Sequence, residues 1–124
     1  MTPQTRFLVV DDAEDVRLLM GLGLARAGFE SVAEAGTAAD ALDAARATHP
    51  DVVLLDLVLP DGGGRAAIVD LRAVLPDALI VVCSGLQARL MASDCLAAGA
   101  DAYLEKTDLL GIGHMVTELL RDRP

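Results

Sequence analysis

Short apolar runs alternate with helix-length segments along the chain. Three of the runs are continuously apolar, which is typical of strands covered on both faces. The runs are FLVV (7–10), SVAEA (31–35), VVLLDL (52–57), LIVVC (79–83) and AYLE (102–105). The remaining segments, near 13–28, 37–48, 65–75, 87–98 and 109–121, predict five helices.

The first predicted helix has the clearest apolar period. Its expected core face consists of Val16, Leu19, Met20, Gly23, Leu24 and Ala27. Gly28 should end this helix, Gly99 should end the fourth, and Thr37 should cap the start of the second.

Five strand–helix units predict an α/β fold with a parallel sheet, helices on both faces and right-handed crossovers. A chain of 124 residues suits one domain. The sequence contains neither internal repeats nor a linker. We therefore expect residues 1–124 to form one domain without an attached output module.

Polar side chains follow four of the predicted strands. Strand 1 leads into Asp11 and Asp12, strand 3 ends at Asp56, strand 4 at Ser84 and strand 5 at Lys106. Ligands of such sheets bind beyond the carboxyl ends of the strands. These five side chains are therefore expected to meet at one edge.

Adjacent carboxylates at the end of a buried strand repel each other by about 4 kcal/mol at the effective dielectric of a partly buried site. A divalent cation would offset this repulsion, and three carboxylates make a hard-oxygen site that suits Mg²⁺. With the Ser84 hydroxyl and the Lys106 ammonium, these groups are the parts of a phosphoryl-transfer site. An aspartate can itself be the nucleophile.

Ordinary structural roles compete with this interpretation. Asp11 or Asp12 could cap the first helix, and Asp56 could stabilise a turn. Lys106 could be a solvated lysine, although it is the only lysine in a chain with nine arginines. The convergence of all these groups on one edge favours a functional site.

Composition excludes several other classes of protein. The net charge of −9 argues against direct nucleic-acid binding. The N-terminus lacks the pattern of a signal peptide, and no apolar run approaches the ~18 residues of a membrane span. Cys83 and Cys95 lie in apolar contexts, which predicts reduced core thiols in a cytoplasmic protein.

Four motifs at their spacing resemble those of the response-regulator receiver domains of bacterial two-component signalling. They are VVDD (9–12), LLDLVLPDGGG (54–64), CSG (83–85) and YLEK (103–106). The resemblance covers essentially the whole chain. It implies a flavodoxin-like, doubly wound fold with strand order 2-1-3-4-5. The implied function is that of a phospho-accepting regulator that catalyses only its own phosphorylation and dephosphorylation.

The resemblance also implies a role for each acid. Asp56 would accept the phosphoryl group. Asp12 and Asp56 would bind Mg²⁺ directly, together with the backbone carbonyl of Val58, and Asp11 would act largely through water.

Three further residues take roles by the same resemblance. Lys106 and Ser84 would contact the phosphoryl oxygens. Tyr103 would turn inward when Ser84 moves toward the phosphate, which changes the surface of the fourth helix, fifth strand and fifth helix.

The resemblance implies two kinds of protein partner. Leu18, Leu22 and Ala25 lie opposite the core face of the first helix, where a histidine kinase or phosphotransfer protein would dock. Scattered exposed leucines are the ordinary alternative. A downstream effector protein would read the switched surface, and a phosphorylation-dependent dimer is left open.

The sequence departs from the family pattern in two places. Thr107 replaces a proline that often follows the lysine, so we expect a trans bond, because a cis bond there would cost ~3–4 kcal/mol. Val58 and Leu86 are apolar, which predicts hindered access of water and a long-lived phosphoryl group. A half-life of only seconds in Mg²⁺ buffer would contradict this.

Two alternative functions compete with this one. A phosphohydrolase of the haloacid-dehalogenase type also forms an aspartyl phosphate, but it needs a second acid two residues after its nucleophile. Ala13 and Val58 occupy those places after Asp11 and Asp56. A receiver-like interaction module that is not phosphorylated usually lacks an acid or the lysine, and this chain has them all.

Overall fold

The computed structural model describes residues 5–85 and 88–122, in which five strands and five helices alternate. The strands are β1 (Arg6–Val10), β2 (Glu30–Ala35), β3 (Val52–Leu55), β4 (Leu79–Ser84) and β5 (Ala102–Glu105). The helices are α1 (Glu14–Arg26), α2 (Ala38–Thr48), α3 (Gly64–Val74), α4 (Ala88–Ala98) and α5 (Ile112–Arg121). All strand pairs are parallel, in the order β2-β1-β3-β4-β5, which confirms the predicted fold.

The sheet is covered on both faces, which explains its continuously apolar strands. Strands β3 and β4 are buried along their whole length. Helices α1 and α5 pack on one face, against side chains such as Phe7 and Val81. Helices α2, α3 and α4 pack on the other, against side chains such as Leu8 and Ile80.

The buried stripe of α1 is narrower than the sequence period predicts. Met20, Gly23 and Leu24 are buried, but Leu19 is 37% exposed and Ala27 is exposed as well. The prediction of Leu19 and Ala27 as core residues was therefore wrong.

Helix α1 and the chain around α5 approach each other closely. A Cβ on Gly23 would lie 2.7 Å from the carbonyl oxygens of Leu109 and Leu110, and one on Gly113 would lie 2.6 Å from the Gly23 oxygen. Glycine at both positions lets the two backbones meet. Backbone atoms therefore make part of this contact, together with the Ala27 side chain against Gly113.

Some element boundaries differ from the predicted ones. Helix α5 begins at Ile112 rather than near residue 109, because Asp108 forms a turn in which its carbonyl and Oδ1 both accept from the Gly111 N–H. Strand β3 ends at Leu55, so Asp56 and residue 57 belong to the following loop.

Other local predictions are confirmed. Gly28 and Gly99 follow α1 and α4 with φ of 87° and 120°. The Thr37 hydroxyl accepts a hydrogen bond from the Asp40 N–H at 3.1 Å and caps α2. Both cysteine thiols are buried and free. Among the described residues, no helix combines the length and apolarity needed to cross a bilayer.

Candidate functional site

The sheet hydrogen bonds extend into the loops that carry the predicted site residues. Beyond the end of β3, the Asp56 N–H donates to the Val10 carbonyl at 2.9 Å. Beyond β5, the Lys106 N–H donates to the Ser84 carbonyl at 2.8 Å. The Lys106–Thr107 bond is trans, as expected. The hydrogen bonds of the sheet therefore fix the backbone of Asp56 and Lys106.

Lys106 bridges two buried carboxylates at this edge. Its Nζ forms an ion pair with Asp11 Oδ2 and lies 3.2 Å from Asp56 Oδ2. Asp11 is 1% exposed and Asp56 6%. Buried ionised groups are tolerated when they are paired, so the only lysine of the chain stabilises both acids.

The environment shifts the proton affinity of two of these groups. Burial raises the pKa of the Asp56 carboxyl above its ordinary value, and the charge of Asp11 adds to this, against the opposing effects of Lys106 and the Val58 N–H. Burial alone would lower the pKa of Lys106, but its hydrogen bond to Asp11 and the charges of Asp56 and Asp11 outweigh burial and raise it. Lys106 is therefore charged at neutral pH.

Three carboxylates form a donor set that fits Mg²⁺. Oxygens of Asp11, Asp12 and Asp56 lie within 4.8 Å of one another, and Asp12 is exposed to solvent. The ionised acids carry an excess of two negative charges over Lys106. A divalent ion with carboxylate and water ligands suits both the charge and the oxygen donors.

The Val58 N–H donates to Asp56 Oδ1 at 3.3 Å, and the Val58 side chain is exposed. This places residue 58 next to the site. The role of the Val58 carbonyl as a metal ligand stays a prediction. Leu86, predicted to flank the phosphoryl path, lies outside the described residues.

Ser84 and Tyr103 are already in contact. Their hydroxyls are hydrogen-bonded to each other, and Ser84 is buried at the end of β4. The Tyr103 ring packs partly against the core on the α4 side of the sheet, and burial raises its pKa. The two residues predicted to form the switch are thus physically coupled, while their role in switching stays a prediction.

The apolar outer face of α1 is exposed, as predicted. Leu18 is 62% exposed and Leu22 49%, and Ala25 is exposed beside them. This helix begins directly after the paired acids. A partner on this face would therefore lie beside the carboxyl edge of the sheet.

Two residues near the site were missed by the sequence analysis. Arg17 of α1 donates from Nη1 to the Asp11 carbonyl at 2.6 Å. Asp61 accepts hydrogen bonds from the Ala38 and Ala39 N–H groups at 2.8 and 3.0 Å, and so ties the loop after β3 to the start of α2. Neither contact has a signal in sequence spacing. Arg17 binds a backbone carbonyl, which no residue type marks, and Asp61 binds N–H groups of residues 22 and 23 positions earlier in the chain.

Comparisons with known proteins agree with the fold. Residues 7–111 match the family model of the response regulator receiver domain. The chain is 34% identical over 101 residues to the chemotaxis protein CheY of Bacillus subtilis, and the match covers 82% of this chain and 84% of CheY.

Two solved structures are similar over nearly the whole chain. A two-component response regulator of the LuxR family from Aurantimonas sp. has a TM-score of 0.86 and 32% identity, covering 98% of this chain and 88% of that one. A response regulator from Burkholderia pseudomallei, solved with a phosphorylated aspartic acid, a calcium ion and citrate, has a TM-score of 0.78 and 28% identity, covering 97% and 76%.

The family match spans most of the chain, and the strand order and the acidic edge agree with it. Receiver domains are signalling modules rather than true enzymes, and they typically bind Mg²⁺ in an acidic pocket. The chain belongs to the response-regulator receiver domain family, whose model spans residues 7–111.

Proposed function

We propose that this receiver domain accepts a phosphoryl group on Asp56 from a phosphohistidine of a histidine kinase or phosphotransfer protein, in a reaction that depends on Mg²⁺. The observation that carries the proposal is Asp56 itself. It is buried at the carboxyl edge of the sheet, 3.2 Å from the Lys106 ammonium, and it shares a cluster with Asp11 and Asp12. The phosphorylated aspartic acid of the Burkholderia regulator supports the same chemistry.

The proposed step is an in-line displacement. An Asp56 oxygen forms a bond to phosphorus, the bond between phosphorus and the imidazole nitrogen breaks, and the electron pair leaves with the imidazole. Asp12 and Asp56 with the Val58 carbonyl, and Asp11 through water, would hold Mg²⁺, which would supply positive charge to neutralise the phosphoryl oxygens. Lys106 pairs with Asp56 in the structure. Once Asp56 is phosphorylated, the Lys106 ammonium can pair with a phosphoryl oxygen instead. The Ser84 hydroxyl can donate to another of them.

Intact-mass spectrometry after incubation with acetyl phosphate and Mg²⁺ tests the proposal. We expect one added phosphoryl group on the wild type, and none when EDTA replaces Mg²⁺ or when Asp56→Asn is used. Asp70→Asn, which neutralises an exposed carboxylate on α3, should be phosphorylated like the wild type. An unmodified wild type, or a phosphorylated Asp56→Asn, would contradict the proposal.

The outer face of α1 is the proposed docking site of the phosphodonor protein. An open groove of about 530 Å³ runs beside Leu18 and is lined by Glu14, Asp15 and Glu34. The exposed leucines of this face lie on the helix that starts at the acid pair, so a docked partner could bring its phosphohistidine to Asp56. The switched surface around Tyr103, on α4, β5 and α5, would then bind a downstream protein.

Leu18→Glu should slow phosphotransfer from a cognate partner at limiting concentration by about tenfold or more, because a loss of ~1.4 kcal/mol in docking is tenfold in affinity. Phosphorylation by acetyl phosphate should be unchanged. Val69→Glu likewise replaces an exposed apolar side chain with glutamate, but on α3, on the other face of the sheet. It should affect neither reaction. Equal losses with both donors would show damage to folding or chemistry instead of docking.

A further inference from the structure

The side chain of Arg17 reaches from α1 to the backbone of the acid pair. Its Nη1 donates to the Asp11 carbonyl oxygen at 2.6 Å, and its Nε donates to Glu34 Oε1 at 3.1 Å. The side chain is only 18% exposed. One guanidinium of α1 thus joins Glu34 of β2 to the backbone of Asp11, the residue that follows β1.

The surrounding chain leaves room for this contact. A Cβ on Gly36 would lie 3.3 Å from Arg17 Nη1 and 3.9 Å from both the Asp11 oxygen and the Asp12 Cα. Glycine at the end of β2 therefore lets the guanidinium pass close to the peptide that links the two acids.

Arg17 completes the fixation of Asp11. The Asp11 N–H donates to the Ala35 carbonyl at 3.0 Å, and its Oδ1 accepts from the Ala13 N–H at 3.0 Å. The carbonyl held by Arg17 belongs to the peptide that joins Asp11 to Asp12, so its orientation sets the direction in which Asp12 leaves the strand. Among the described contacts, none holds the Asp12 carboxylate itself, which makes this peptide its main restraint.

We propose that Arg17 is a positioning residue for Mg²⁺ binding: by fixing the Asp11–Asp12 peptide it holds the Asp12 carboxylate toward Asp56. This inference rests on the proposed function, because it assigns Asp12 and Asp56 to the metal. Groups that orient metal ligands typically affect metal affinity by about 10–100-fold. A guanidinium is suited to this task because its planar fork donates in two directions, whereas a lysine ammonium is a point charge.

A positioning role of Arg17 and a purely electrostatic role predict opposite changes in Mg²⁺ affinity. As a mere positive charge, Arg17 would repel Mg²⁺, so Arg17→Met would tighten binding and Arg17→Lys would leave it unchanged. If Arg17 is a positioning residue, both substitutions should weaken Mg²⁺ binding and raise the Mg²⁺ dissociation constant about tenfold. Glu34→Gln, which loses the ion pair but keeps Arg17, should produce a smaller rise.

The test is a titration of ¹⁵N-labelled protein with Mg²⁺ alone, followed by amide chemical shifts. The metal-free spectrum of Arg17→Lys should already show a displaced Asp12 amide resonance. Arg72→Lys is the matched control. Arg72 is another arginine that binds backbone carbonyls, but at the amino ends of β4 and β5, through Leu75, Pro76, Ala78 and Gly99. Arg72→Lys should lower stability and leave the Mg²⁺ dissociation constant unchanged.

The outcomes separate the inference from the function on which it rests. A wild type that binds no Mg²⁺ would overturn both. A wild type that binds Mg²⁺, with Arg17→Lys binding equally well, would overturn the positioning role alone. If Arg17→Met does not fold, Arg17→Lys, which keeps the charge, still decides the question.

Discussion

Replacing Lys106 with methionine should lower the free energy of unfolding in EDTA by about 3 kcal/mol, since removing one partner of a buried ion pair leaves uncompensated charge. Asp11 and Asp56 are both nearly inaccessible to solvent and both face Lys106 Nζ. Methionine keeps much of the volume of the side chain but none of its charge. Chemical denaturation followed by circular dichroism measures the loss.

The same substitution should tighten Mg²⁺ binding. The ammonium contacts two of the carboxylates that would hold the ion, so it competes with the cation for their charge. Added Mg²⁺ should consequently restore more stability to Lys106→Met than it gives the wild type. This is the opposite direction from the Arg17 variants, although both residues are cations beside the same site.

Arg121→Met is the matched control for loss of a cation. Arg121 pairs with Glu118 on the exposed side of α5, where an ion pair contributes little to stability. We expect a small change in unfolding and none in Mg²⁺ affinity. A Lys106→Met protein as stable as the wild type in EDTA, or one that binds Mg²⁺ more weakly, would contradict the electrostatic account of the site.

Asp56→Asn should raise the melting temperature in EDTA by several degrees, since ~1 kcal/mol corresponds to about 4 °C in a domain of this size. The reason is the charge imbalance: three acids cluster around a single lysine charge, which pairs with two of them. Burial together with Asp11 raises the pKa of Asp56, so its ionised form is disfavoured in the folded protein. Asparagine keeps the shape and removes the charge.

Mg²⁺ should reverse this order of stability. The ion should stabilise the wild type by binding at its acidic cluster, and it should stabilise Asp56→Asn much less. Differential scanning calorimetry with and without Mg²⁺ measures both effects, and Asp70→Asn should melt like the wild type in each buffer. A lower melting temperature for Asp56→Asn in EDTA would show that the carboxylate stabilises the fold without a metal.

The fold was predictable because burial on both faces makes the strands continuously apolar, and a parallel sheet brings their carboxyl ends together. Residues after four separate strands, such as Asp11 and Lys106, therefore meet without any local signal in the sequence. The strand order needed the family resemblance, because alternation of strands and helices alone does not specify it.

Contacts that depend on how helices sit on the sheet were not predictable. Leu19 has the right period for the core of α1, but it is 37% exposed. Arg17 is one of nine arginines, and no spacing marks it as the residue that reaches the Asp11 carbonyl. Asp61 caps a helix that precedes it by more than twenty residues, which local capping patterns do not describe.

The most direct test is to find which side chain carries the phosphoryl group. Borohydride reduces the acyl phosphate of aspartate to homoserine, so protein treated with acetyl phosphate and Mg²⁺ can be reduced, digested and sequenced by mass spectrometry. We predict homoserine at position 56 alone, and none when Mg²⁺ is withheld. Homoserine at position 11 or 12, or unreduced aspartate at all three positions, would contradict the assignment of Asp56 as the phosphoacceptor.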